Sequence, residues 1–152
     1  MEKFCLKWND FHQNISTTYS NLRKQDDLFD VTLVTDDGKQ SSSHKLVLAS
    51  SSDFFQNIVH NSKNKQIDFL IYLAGVRSVE LENILDYIYA GEVQLYQDDL
   101  DNFLDIAQKL KIKGLIGNDE ERKSKIIEEE FIPEETVYPN QFQNVAKNEG
   151  YN

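Results

Sequence analysis

Apolar and polar side chains alternate along residues 4–9, FCLKWN. That puts Phe4, Leu6 and Trp8 on one side of an extended strand, with Cys5, Lys7 and Asn9 on the other. A lone strand is not stable in water, and no hairpin mate lies nearby. The period then lengthens. Phe11, Ile15, Tyr19 and Leu22 recur at i, i+4, i+8 and i+11, one face of a helix over residues 9–24 that Asn9 or Asp10 can cap. DVTLV, with Val31, Leu33, Thr32 and Val34, reads as a strand, and Asp37-Gly38 as a hairpin turn. The second strand, KQSSS, is so poor in apolar residues that it is expected to be short or at a sheet edge.

Leu46, Val47, Leu48 and Ala49 suit a short buried helix. Ser51, Ser52 or Asp53 can cap a second one carrying Phe54, Phe55, Ile58 and Val59. NSKNKQ is a polar loop, and IDFLIYL a strand that Gly75 ends. The clearest helical stripe is Leu81, Ile84, Leu85, Ile88 and Tyr89, with Gly91 placed as the residue that takes positive φ beyond the helix. EVQLY is a short strand. A last helix carries Leu100, Phe103, Leu104, Ala107 and Leu110, with Asp98 and Asp99 at its positive start, lysines near its end and Gly114 as terminator. After Gly117 the periodicity lapses. Acids cluster there, and both prolines, Pro133 and Pro139, fall in this stretch. Residues 118–152 read as an acidic, disordered tail or linker; a short extra helix over 120–130 is the alternative.

At 152 residues, with 39% apolar and 11% aromatic side chains, the chain suits one domain plus a tail. No apolar run is long enough to span a membrane, and Glu2, Lys3, Lys7 and Asp10 break any signal-peptide core. The single cysteine agrees with a reducing compartment, cytosolic or nuclear. The net charge is −10, and residues 118–152 hold nine acids against four bases. Neither part has a basic stripe, which argues against direct nucleic-acid binding by this chain. His12, His44 and His60 lack metal-ligand spacing, and no G-x-S-x-G elbow surrounds the serine runs. The six glycines stand singly and form no phosphate loop. No enzyme activity, metal or cofactor is therefore expected. Asp30 and Lys45 stand out as charges beside apolar runs. Either both sit at element ends in water, or they pair at the floor of a groove.

FCLKWNDF, FDVTLVTDD, HKLVLASSSDFF, LDYIYAGEV and FLDIAQKLKIKGL, in that order and spacing, resemble a BTB/POZ domain over residues 4–117. FCLKWN is similar to the F-x-L-[RK]-W-N signature of the tramtrack-type subgroup of insect transcription regulators. The resemblance implies an α+β fold, a helical cluster flanked by short strands, that forms an intertwined homodimer. The orphan strand of one subunit, residues 4–8, then pairs with residues 92–96 of the other, bringing Val93 and Leu95 to the interface. Phe11, Ile15 and Tyr19 would pack the first helix on its symmetry mate. Trp8 and Asn9 match the subgroup signature, which implies assembly beyond dimers. Asp30 and Lys45 match the family's charged-pocket positions and favour the paired reading. Ser51-Ser52-Asp53 departs from the Cys-Ser-Pro often found there, and no proline precedes the IDFLIYL strand.

The implied function is that of a nuclear protein–protein interaction domain in a transcription or chromatin regulator. It would act by homo- and hetero-oligomerisation with other BTB proteins and by recruiting corepressor or chromatin partners. The alternative, a substrate adaptor of a cullin-type ubiquitin ligase, is disfavoured because the chain turns acidic and proline-punctuated after Gly117 where such adaptors continue in helices.

Overall fold

β-Branched and apolar residues build the first strand, β1 (Val31–Thr35), and Asp37-Gly38 turns the chain back into β2 (Gln40–Ser43). Gly38 takes φ 74°, and Thr35 closes the turn by donating its N–H to the Lys39 carbonyl at 3.0 Å. β2 pairs antiparallel with β1 and, as its polar sequence suggests, is an edge. β3 (Phe69–Leu73) lies parallel to β1 on the other side, so the sheet order is β2-β1-β3. The coordinates are a computed structural model that describes residues 1–62, 69–115, 117 and 126. The NSKNKQ loop beyond Ser62 and the expected tail, Ile126 apart, lie outside the described residues.

A parallel return needs a crossover, and two helices supply it: α2 (Lys45–Ser51) and α3 (Asp53–Asn61). Ser52 separates them with extended φ/ψ, and its side-chain oxygen accepts the Phe55 N–H at 3.1 Å, so of the three candidate caps Ser52 is the one used. Val47 and Leu48 are buried, but Leu46 is exposed, because a seven-residue helix packed on other helices turns only one stripe inward. In α4 (Ser78–Ala90) the expected stripe Leu81, Ile84, Leu85, Ile88 and Tyr89 is buried throughout, and Gly91 takes φ 81°.

α5 (Gln97–Lys109) buries Phe103, Ile106 and Ala107. Ile106 belongs to the inward stripe that the sequence pattern draws without it, and Leu100 and Leu104 are only half-buried. Gly114 is not the terminator. The helix ends at Lys109, Lys111 takes φ 48°, and Ile112 bridges back to Ser52. Gly114 instead sits where a Cβ would meet the Tyr87 hydroxyl at 2.6 Å.

The core joins Leu33 and Ile71 of the sheet, Leu48 and Phe55 of the crossover, the α4 stripe, and Ile106 and Ile112. Each fully buried side chain of this kind contributes about 1.5–3 kcal/mol. The first helix, α1 (Phe11–Leu22), is different. It has no buried residue and leans on α4. Asp10 precedes it at φ 58° without a side-chain cap, so neither expected cap is used in the form foreseen.

Candidate oligomerisation surface

Of the expected interface residues, Phe4, Leu6, Trp8, Phe11 and Ile15 are exposed in the N-terminal part of the chain. Phe4 is 84% exposed, Leu6 96% and Trp8 62%, all at the start of a chain with ample core to bury them. The Trp8 ring meets Phe11 edge-to-face at 5.2 Å, which links the arm to α1. Phe11 and Ile15, one helical turn apart, continue the exposed stripe. Asn9 is exposed beside them. Tyr19 differs: it is half-buried and packs on the core of its own chain.

Neither expected outer strand is a strand within the single chain. Residues 4–8 and 92–96 carry no sheet pairing, and among the described residues the backbones of Val93, Gln94 and Leu95 make no hydrogen bond. The second segment nonetheless alternates. Val93 and Leu95 are half-buried against the core, while Glu92, Gln94 and Tyr96 face solvent. Its side chains are placed as in a strand and its ladder is missing. Unpaired backbone groups of this kind are held only in water or by a partner.

Arg23, at the end of α1, fixes that helix to α4. Its guanidinium pairs with Glu82, donates to Asp86 at 3.0 Å, and lies 5.8 Å from the Tyr89 ring centroid. Ser20 adds a bond from its hydroxyl to the Tyr89 carbonyl at 3.5 Å. Nothing in the sequence patterns flagged Arg23; its i+4 spacing from Tyr19 was the signal available.

Asp30 and Lys45 do come together, but not as an ion pair. An Asp30 carboxylate oxygen accepts the backbone N–H of Lys45 at 2.7 Å, capping α2 from outside the helix. The Lys45 ammonium instead stands 4.6 Å from the Phe69 ring centroid. Behind them His44 is buried. The Tyr89 phenol oxygen accepts the His44 backbone N–H at 3.0 Å and lies 2.7 Å from Nδ1. The ring–phenol contact forms in either imidazole tautomer, with the phenol donating in one and accepting in the other. Nε2 has no hydrogen-bond partner among the described residues. Burial pushes the His44 pKa below its ordinary value, against a smaller opposing pull from Asp30.

A model of the BTB/POZ domain family matches residues 19–127. The chain belongs to the BTB/POZ family. The match begins inside α1, so residues 4–18 lie upstream of what the family model describes. The Longitudinals lacking protein-like protein of Drosophila melanogaster is 39% identical over 114 residues, covering 75% of this chain and 87% of the relative. Zinc finger protein chinmo, from the same organism, is also 39% identical over 114 residues, and Protein abrupt is 35% identical. Of these two the chain spans only 18% and 12%. With these relatives the chain falls in the tramtrack-type group that FCLKWN resembles. The BTB domain of human gigaxonin superposes with a TM-score of 0.62 at 22% identity, covering 76% of this chain and 92% of that one. The BTB domain of zebrafish PATZ1 gives 0.61 at 17% identity, covering 74% and 91%. Both share the α+β BTB fold. BTB/POZ is a protein-interaction fold rather than an enzyme family.

Proposed function

We propose that the chain is a homo- and hetero-oligomerising module of a nuclear transcription or chromatin regulator. One observation carries the reading. Two segments with strand-like side-chain patterns, residues 4–8 and 92–96, have no sheet partner among the described residues, and the first continues into the exposed Phe11–Ile15 stripe. Across a two-fold axis each arm pairs with the other subunit's 92–96 segment, so every contact is made twice. Phe4, Leu6 and Trp8 leave water, and Phe11 and Ile15 pack α1 on its mate. Tyr19, Val93 and Leu95 back this interface from inside each subunit.

Asp30 and Lys45 border the groove of the dimer, where the capped start of α2 holds both in place. Trp8 and Asn9, as parts of the subgroup signature, favour assembly beyond the dimer. The dimer's effect is multivalency: it brings linked modules to high effective concentration and presents a surface to corepressor or chromatin proteins. The test is a tethering assay. Fused to an unrelated DNA-binding domain, the full chain changes the output of a reporter and co-purifies with a differently tagged copy of itself. Leu6→Lys with Trp8→Lys removes both effects. A fusion that leaves the reporter unchanged, or a double variant that acts as wild type, contradicts the proposal.

A further inference from the structure

Tyr89 of α4 serves α1 and the start of α2 at once. It is buried, with 3% exposure. On one side its phenol oxygen accepts the His44 backbone N–H at 3.0 Å and meets Nδ1 at 2.7 Å. His44 is the residue from which α2 starts, and its carbonyl accepts the Leu48 N–H at 3.0 Å. Its Nε2 has no partner among the described residues, so the imidazole is held by the Tyr89 phenol and by ring contact, with Phe29 at 4.8 Å and with Tyr89 at 5.7 Å. On the other side the Tyr89 ring carries the Arg23 guanidinium, and the Tyr89 carbonyl accepts the Ser20 hydroxyl. The hydroxyl and the ring of one buried side chain thus belong to two different surfaces. The hydroxyl supports the Asp30–Lys45 rim, and the ring supports the helix that presents Phe11 and Ile15. In a close-packed interior such a side chain does not shift for one neighbour without disturbing the other.

We infer that Tyr89 couples the docking of α1 to the order of the α2 start, so that assembly through α1 steadies the Asp30–Lys45 rim of the groove. The inference rests on the reading of the chain as an oligomeriser and adds a regulation to it. With α1 docked, Arg23 pins the Tyr89 ring, and the phenol oxygen stays on His44. With α1 released, the ring loses that hold, and the His44 end of α2 opens more often. The second support of this end, the Asp30 carboxylate on the Lys45 N–H, comes from the residue before β1 and does not involve α1, so the coupling passes through Tyr89. An interface that holds α1 in place raises the fraction of chains whose rim is ordered. A ligand on the rim favours docked α1 by the same factor, because linkage between two sites is reciprocal. The two states differ in local opening, which amide exchange reads directly.

Residue-resolved hydrogen exchange on the full chain tests it, with two variants that each cut one side. Tyr89→Phe removes the hydroxyl from His44 but keeps the ring under Arg23 and the carbonyl bonded to Ser20. Arg23→Gln removes the contact from α1 and leaves the hydroxyl in place. Each variant is read on the helix it does not touch. Tyr89→Phe is expected to speed exchange of the α1 amides, and Arg23→Gln that of the Lys45 and Leu48 amides, by about fivefold or more, the lower end of common couplings. In the Arg23→Gln background, Tyr89→Phe is expected to add nothing at α1, since the link is already cut. The β3 amides are expected to stay within about twofold of wild type. If Tyr89→Phe does not fold, Arg23→Gln decides alone at Lys45 and Leu48. Far-helix amides within about twofold of wild type, a uniform rise that includes β3, or a Tyr89→Phe effect on α1 that persists without Arg23 overturns the coupling. A wild type at the single-chain mass by light scattering overturns the oligomeriser reading instead, and the far-helix amides still decide the coupling.

Discussion

Arg23→Gln isolates what holds α1, the helix that presents the proposed interface, to the body of the domain. α1 buries no residue, so its docking rests on half-buried Tyr19 and Leu22 and on the Arg23 cluster. The Arg23 side chain is 20% exposed, and its carboxylate partners Glu82 and Asp86 are 49% and 54% exposed. At such exposure each ion pair, discounted for solvent screening, contributes about 0.2–1 kcal/mol. The guanidinium over Tyr89 adds about 0.5–1 kcal/mol. Together that is about 1–3 kcal/mol, and each 1.4 kcal/mol is tenfold in an opening equilibrium. Hydrogen exchange of the α1 amides is therefore expected to speed up by about fivefold to 150-fold. The α4 amides should change less. Raising the salt to about 1 M, where the Debye length is near 3 Å, should loosen α1 in the wild type and shrink the difference. Lys24→Gln, one residue on and without an ion pair among the described residues, is the control. If α1 exchange in Arg23→Gln stays within about twofold of wild type, α1 is held by apolar contact and the argument fails.

Ser52→Ala removes the α3 cap and leaves the buried Leu110 carbonyl without the hydroxyl that donates to it. A lost cap costs about 0.5–2 kcal/mol and an orphaned buried acceptor about 1–3. Urea midpoints at fixed protein concentration should fall accordingly, while Ser51→Ala, whose side chain makes no hydrogen bond among the described residues, should fall within about 0.5 kcal/mol of wild type. His44 has a folded pKa below its ordinary 6.5, so it contributes stability that is present above that value. As pH falls below 6.5 the unfolded chain gains a proton the folded one resists, and stability drops. His44→Gln should flatten the stability-versus-pH curve between the folded pKa and 6.5; an unchanged curve would mean that His44 does not control it.

The parts of the fold that were legible in the sequence are those whose signal is local. The α4 stripe, the Asp37-Gly38 turn and the polar β2 edge all follow from periodicity or from one residue's backbone preference, whereas local pattern narrows the cap of α3 only to Ser51, Ser52 or Asp53. The misreadings are tertiary. Gly114 looks like a helix terminator, but the helix has already ended at Lys109, and the glycine answers to the Tyr87 hydroxyl across the fold. Leu46 reads as core because it sits in an apolar run, yet α2 turns it to solvent. The candidate surface divides in the same way. The apolar alternation of Phe4, Leu6 and Trp8 is plain in the sequence. That Asp30 meets Lys45 through its backbone amide, leaving the ammonium to Phe69, depends on the angle at which α2 leaves β2, and no local pattern encodes that angle.

The central claim is that the N-terminal arm finds its partner in another copy of the chain. The direct measurement is the solution mass of the full chain, by light scattering behind size exclusion, with and without Leu6→Lys and Trp8→Lys. Against a single-chain mass of 17.7 kDa, the account predicts a species of at least twice that value, which the two lysines reduce or unfold. A folded species at the single-chain mass, unaffected by the lysines, would contradict it.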